Sequence, residues 1–194
     1  MKSLLSLIVA VFVAKSALAQ TVWTIDGSHS DISFSVSHLV VSEATGRFKK
    51  FEGELKAKSD DFVDADVSLT IDAASIDTDD DKRDGHLRSP DFFDVAKFPA
   101  ITFKSKSFKK VEGNRYKLAG DLTMRGVTKP VELDVIFKGM AKSPWGHSVS
   151  AFKVTGAINR TDFGLTWNKT LEAGGLLVGE IVNFSANIEL VKKS

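Results

Sequence analysis

The 194-residue chain has no cysteine, which excludes disulfides, thiolate catalysis and cysteine-ligated metal sites. A fold without disulfides must be held together by its core alone. Tyrosine is nearly missing too: there is one, against fourteen phenylalanines, the balance of an interior that takes bulk without hydroxyls. Net charge is small, +1 overall. Lys2 and Lys15 fall within residues 1–19 with no acid, so the rest carries −1. A near-neutral surface argues against nucleic acid as a partner, because phosphate contacts need a basic excess. Beyond residue 14 no stretch is long and apolar enough to span a bilayer, so no stable membrane insertion is expected. Gly-x-Ser-x-Gly and a glycine-rich phosphate loop are also missing, as are repeats, heptads and low-complexity linkers.

What is present begins with an address. Lys2 is a short positive n-region, residues 4–14 match the length of a signal h-region, and Ala17-Leu18-Ala19 is a small-x-small cleavage site. Residues 1–19 therefore read as a signal peptide cleaved after Ala19. Residues 20–194 read as one exported domain, placed in the periplasm.

From residue 20 on, period two dominates. Ile32, Phe34 and Val36 alternate with serines; Val67, Leu69 and Ile71 alternate with Ser68, Thr70 and Asp72. The same holds for Ile101 and Phe103, for Tyr116, Leu118, Leu122 and Met124, and for Val131, Leu133, Val135 and Phe137. Phe152, Val154 and Ile158 follow, then Val182, Phe184, Ala186, Ile188 and Leu190. One dry and one wet face per run is the antiparallel signature. Glu112-Gly113-Asn114 and Arg125-Gly126-Val127 supply tight turns. The expectation is an all-β chain: about eight strands in an antiparallel meander, closed into a barrel rather than stacked as a sandwich. A charged, then apolar segment interrupts the rhythm. It predicts a short helical insert near residues 78–95, with Ser89 and Pro90 as N-cap and first helical residue and Phe92 and Phe93 facing inward or plugging one end.

The inward-facing set makes a candidate apolar tunnel. It comprises Phe34, Val36, Val67, Leu69, Ile71, Phe92, Phe93, Ile101, Phe103, Leu118, Leu122, Leu133, Val135, Phe137, Phe152, Val154, Phe163, Trp167 and Phe184. Gly120 and Gly156 stand at inward positions, where they either leave room for a ligand or relieve strand curvature. Four histidines are the candidates for acid-base work or metal binding. None has close ligand spacing, and no metal is expected. His29 and His38 lie at opposite parity on one run; His38 continues the inward parity of Ile32, Phe34 and Val36 and could meet a ligand head group or serve as a rim residue. Acidic runs such as Asp60-Asp61 and Asp79-Asp80-Asp81 sit in polar surroundings that would not raise a carboxyl pKa for catalysis.

Several blocks resemble the YceI family of lipocalin-like, polyisoprenoid-binding periplasmic proteins. They are Trp23-Thr-Ile-Asp-Gly-Ser-His-Ser30 with Ile32, Phe34, Val36 and His38; Gly46-Arg-Phe48; Phe51-Glu-Gly53; Asp81-Lys-Arg-Asp-Gly-His-Leu-Arg-Ser-Pro-Asp-Phe-Phe-Asp94; Gly120-Asp-Leu-Thr-Met-Arg-Gly-Val-Thr-Lys-Pro-Val131; and Asn159-Arg-Thr-Asp-Phe-Gly164. Gly27 departs from the pattern, where proline is usual. The resemblance implies an extended barrel with a long tunnel holding a polyisoprenoid such as a quinone tail or a similar amphiphile, with no cofactor and no covalent attachment. His38, His86, Arg88 and Asp162 are the polar residues placed near its head group. The leading expectation is a non-enzymatic lipid carrier or reservoir. An exported enzyme acting on a lipid or quinone through His38 or His86 is the alternative, and a structural barrel with a protein partner a third reading. A homodimer is left open.

Overall fold

The computed structural model describes residues 20–171 and 174–193. Residues 1–19, where a signal peptide is expected, lie outside the described residues. Alternating runs become strands: β1 (Thr21–Ile25), β2 (Asp31–His38), β3 (Ser42–Phe48), β4 (Phe51–Ala57), β5 (Asp66–Asp72), β6 (Ile76–Asp77), β7 (Ala100–Glu112), β8 (Arg115–Met124), β9 (Val127–Lys142), β10 (Ser148–Asn159) and β11 (Val178–Lys192). One helix, α1 (Asp81–Arg88), stands between β6 and β7.

These eleven segments occupy eight positions around a closed barrel. The long β11 pairs on one side with β10 and on the other with β2 and then β1. So β1 and β2 are two halves of one wall strand, broken at 26–30. By the same logic β3 runs into β4 across Lys49 and Lys50, and β5 into β6 across a 3-10 turn, Ala73–Ser75. Each of the eight is antiparallel to its sequence neighbours, and the last closes on the first. Closure leaves no free sheet edge between the first and last strands. His29 lies in the break between β1 and β2, so it shares no regular strand with His38. There the Asp26 carboxylate accepts from the Ser28 amide at 2.9 Å and the Ser28 hydroxyl at 2.6 Å, and lies 2.9 Å from His29 Nδ1.

The helical insert forms, but earlier than its capping signal predicts. Asp80 is the N-cap; its carboxylate accepts from the Lys82 and Arg83 amides, and Ser89 is the C-cap. The aspartate run Asp79-Asp80-Asp81 offers a second capping signal upstream of Ser89. The one at Asp80 prevails because Asp84 then turns inward to accept from the Thr78 amide (2.9 Å) and hydroxyl (2.6 Å). Arg88 donates to the Ala74 and Ile76 carbonyls at 2.8 and 2.7 Å, which ties the helix to the barrel rim.

The interior holds two apolar clusters. One, at the end formed by the β7–β8 and β9–β10 turns, contains Trp23, Leu55, Phe62, Phe108, Tyr116 and Phe152. The other, at the α1 end, contains Ile32, Phe48, Ile76, Phe92, Phe163 and Leu165.

Candidate functional site

A cavity of about 260 Å³ lies between the two clusters, along the barrel axis. Its wall is built by the period-two rule, since every second residue of each strand points inward. Phe34, Val36, Val67, Leu69, Ile71, Ile101, Phe103, Leu118, Leu122, Leu133, Val135, Phe152, Val154 and Phe184 all line it, as the alternation predicts, and Phe92 and Phe93 reach it from the segment after α1. Such a lining offers a ligand dispersion and water exclusion, with few hydrogen bonds to fix a polar group.

Five members of the predicted tunnel stand elsewhere. Phe137 lies beyond the cavity and packs 5.5 Å from the Phe62 ring. Phe163 is buried in the α1-end core. Trp167 lies outside, 4.8 Å from the His86 ring and 5.3 Å from Phe92. Gly120 and Gly156 open no space. A Cβ at Gly120 would come 2.4 Å from the Lys104 carbonyl and 2.5 Å from the Phe103 ring; one at Gly156 would come 2.6 Å from the Phe184 ring. Both glycines let the tip of a neighbouring phenylalanine ring press against bare backbone.

The end opposite α1 is closed by a side chain that periodicity does not reveal. Phe62, in the loop between β4 and β5, is fully buried, with its ring against Trp23, Phe137 and Phe152 at 5.1–5.5 Å. It holds a left-handed backbone, φ +58°, unusual for an aromatic residue. The loop is pinned from both sides. The Tyr116 hydroxyl donates to the Asp61 carbonyl at 2.8 Å, and the Asp64 amide donates to the Phe108 carbonyl at 2.9 Å. Burial holds the Tyr116 phenol above its ordinary pKa, so it stays a protonated donor. The one sequence hint is an isolated phenylalanine after Asp60-Asp61.

At the α1 end the lining becomes half-buried at Phe34, Leu87, Phe93, Val178 and Val182. Here Arg160, 4% exposed, lines the cavity with its stem. Its guanidinium turns away and donates to the carbonyls of Gly179 (2.8 Å), Trp167 (3.0 Å), Val178 (3.2 Å) and Leu165. Among the described residues no carboxylate lies within ion-pair distance of it. Burial pushes its pKa down from the ordinary value, opposed by Glu180. Arg160 thus straps the connection between β10 and β11 across the barrel end, a role its sequence block does not disclose.

The predicted head-group residues are not brought together. His38, Arg88 and Asp162 do not line the cavity, and neither does His86. Arg88 is spent on the Ala74 and Ile76 carbonyls. Asp162 is exposed, in the first turn of the 3-10 segment Arg160–Phe163. The His86 Nε2 lies 2.9 Å from Asp91 and its ring packs edge-on against Phe92 and Trp167, on the outer side of the insert. His86 and Arg88 sit on the insert and Asp162 on a 3-10 segment, where strand alternation does not apply. His38 is the last residue of β2, past an irregularity in the pairing of β2 with β11 that follows Val36 and Val182. Asp26, His29 and Glu189 bring potential ligand atoms within 4.8 Å of one another, but they lie outside the barrel and already form the Asp26–His29 pair.

A family model described as a YceI-like domain matches residues 23–190. A UPF0312 protein of Staphylococcus aureus is 40% identical over 170 residues, covering 87% of this chain and 96% of the relative. Among solved structures, the chain is similar to the YceI protein of Campylobacter jejuni, with a TM-score of 0.69 and 31% identity over 81% of this chain and 90% of the other. BcnA of Burkholderia cenocepacia superposes with a TM-score of 0.74 at 23% identity, covering 85% and 98% of the two chains. A polyisoprenoid-binding domain from Saccharophagus degradans superposes with a TM-score of 0.64 at 17% identity, covering 88% and 98%. The last two show a shared fold.

Proposed function

The chain belongs to the YceI-like domain family, and on that footing we propose that its barrel binds the apolar chain of a long isoprenoid lipid, polyprenyl or quinone-like, and stores or carries it without chemical change. The observation that carries this reading is the cavity: about 260 Å³, walled almost entirely by Phe, Leu, Val and Ile side chains. Water gains little there, while each buried CH₂ of a ligand contributes about 0.8 kcal/mol. One five-carbon isoprene unit then contributes roughly 4 kcal/mol, so a chain of several units needs few polar contacts. The name of the Saccharophagus domain points to the same ligand class.

Carriage is favoured over catalysis by where the titratable groups lie. The His86 ring nitrogen faces Asp91 outside the cavity. Glu54, which borders the cavity, has its carboxylate 2.8 Å from Lys193 Nζ. An acid-base step inside the barrel would lack a positioned donor among the described residues. The same proposal places the protein in the periplasm, on the strength of residues 1–19; sequencing the N-terminus of the exported protein should begin at Gln20.

The test is native mass spectrometry of the purified protein incubated with a polyprenol and, separately, with a short alkanol. The reading expects a one-to-one complex with the polyprenol that survives desolvation and none with the alkanol. Equal indifference to both would contradict it.

A further inference from the structure

The β2–β3 hairpin ends in Leu39, Val40 and Val41, three aliphatic residues in a row. Val40 is 68% exposed and Val41 87%. Leu39 and Val40 both take left-handed backbone, φ +54° and +67°. Asn or Gly would hold these angles with less strain, and a β-branched residue there is an outlier. The tight turn between His38 and Ser42 sets these angles but not these side chains, so the tip keeps apolar groups in water at a conformational cost. Such an outlier is grounds for inferring a function.

The tip is not isolated. The Leu39 amide donates to the Leu177 carbonyl at 2.9 Å, which brings exposed Leu176 alongside. Gly175 makes the approach close: a Cβ there would lie 3.3 Å from Val40 Cγ2. The patch adjoins the α1 end, where the cavity wall becomes half-buried. His38 pairs with Val178 and Val36 with Val182, and Val36, Val178 and Val182 line the cavity. The charged groups flanking the patch are of both signs, Glu43 and Glu180 against Lys169, and none of them forms an ion pair among the described residues.

We infer that Leu39, Val40, Val41 and Leu176 form a docking surface for a lipid bilayer, dipping into its interfacial layer so that an apolar ligand passes from membrane to cavity without crossing water. The purpose rests on the lipid-binding reading; the docking itself does not. A bilayer fits better than a protein groove because the patch is small and aliphatic, stands at a hairpin tip, and adjoins residues that line a cavity of the same chemistry. With charges nearly balanced at its rim, attachment should be apolar in origin and insensitive to salt.

The opposite end makes the inference discriminating. Trp145, 83% exposed, tips the β9–β10 hairpin, with Lys138 and Lys142 on the same hairpin. Exposed Val111 and Met140 lie at the same end, and docking there would depend on Trp145 and its lysines and would be lost in Trp145→Ser. The experiment is co-sedimentation of the ligand-free protein with phosphatidylcholine vesicles and with vesicles containing phosphatidylglycerol, at low and high salt. The wild type and Trp145→Ser should bind both vesicle types at either salt. The double variant Val40→Asn, Val41→Ser should bind at least about tenfold more weakly. Asparagine tolerates the φ of position 40, so Val40→Asn alone should melt no lower than the wild type while binding more weakly; a merely structural role predicts no loss of binding. Binding that requires phosphatidylglycerol, disappears in salt or is lost in Trp145→Ser would overturn the inference. So would sedimentation velocity showing that the tip variant splits a dimer while vesicle binding is unchanged. Extraction of bound lipid reads the cavity separately, so the two readings can fail independently.

Discussion

The Phe62 ring meets the Phe152 ring edge-on, 5.1 Å between centroids at 84°, and this contact seals one end of the barrel cavity. It joins a loop residue to a wall residue ninety positions away, so the closed end depends on a tertiary contact rather than on strand pairing.

Removing that seal should be expensive. Phe62→Ala deletes a fully buried ring with aromatic neighbours on several sides, and the expected loss is about 3–5 kcal/mol in urea unfolding. A loss below about 1 kcal/mol would mean that the loop collapses to refill the space or that the ring is not seated.

Filling the cavity from its wall should separate binding from folding. Ala186 lines the cavity between the registers of Ile32 and Val154. Ala186→Phe places a ring where the ligand chain would lie and is expected to destabilise by roughly 1–3 kcal/mol. The barrel should keep its far-ultraviolet circular dichroism and lose polyprenol binding in native mass spectrometry. Unaltered binding by a folded variant would place the ligand elsewhere.

The two inward glycines should rank in a defined order. At Gly120 the added methyl of alanine meets the Lys104 carbonyl, which is wall backbone and cannot move without opening a strand pair. At Gly156 it meets the ends of Phe184 and Leu133, both of which border the cavity and have somewhere to go. Gly120→Ala should therefore cost about 2–3 kcal/mol and Gly156→Ala about 1 kcal/mol, the latter with weakened lipid uptake. Thermal and urea unfolding of the pair check the order, and the reverse order would contradict the packing described.

The clasp between β1 and β2 should be visible as a pH dependence. Hydrogen bonds from the Ser28 side chain, then from His29 and the Ser28 amide, hold the Asp26 carboxyl at about 2 against the usual 3.8. A lowered folded-state pKa means stability present above the unfolded value and lost as pH falls from near 4 toward about 2. His29 is the mirror case. Its hydrogen bond to Asp26 raises its pKa, so its contribution is full below the unfolded value near 6.5 and fades as pH rises through the raised folded value. In Asp26→Asn both dependences should flatten, read as Tm against pH. An Asp26→Asn curve parallel to the wild type would show the clasp to be energetically silent.

The barrel was legible because inward and outward residues alternate, and alternation survives in one dimension. Phe34, Leu118 and Phe152 could be placed on the wall from parity alone. The three breaks, at 26–30, at Lys49 and Lys50 and at Ala73–Ser75, were not, since they depend on which partner each half-strand finds. Local capping misplaced the helix: Ser89-Pro90 is a good start in isolation, but Asp80 wins because the buried Asp84 then satisfies Thr78. The two site features with most leverage, the Phe62 seal and the Arg160 strap, lie in loops where no period applies. Gly120 and Gly156 show the remaining limit, because a small residue at an inward position says nothing about which neighbour fills the space. The tip at Leu39 to Val41 was in view as letters, but its exposure and backbone angles belong to three dimensions.

The most direct measurement is the mass of what leaves the barrel. Protein purified from its native host without detergent, extracted with organic solvent and analysed by high-resolution mass spectrometry, should release about one equivalent of a lipid whose formula resolves into repeating five-carbon isoprene units. Ala186→Phe prepared in the same way should release none. Wild-type protein that is folded, empty after extraction and unable to take up a polyprenol added later would contradict the account.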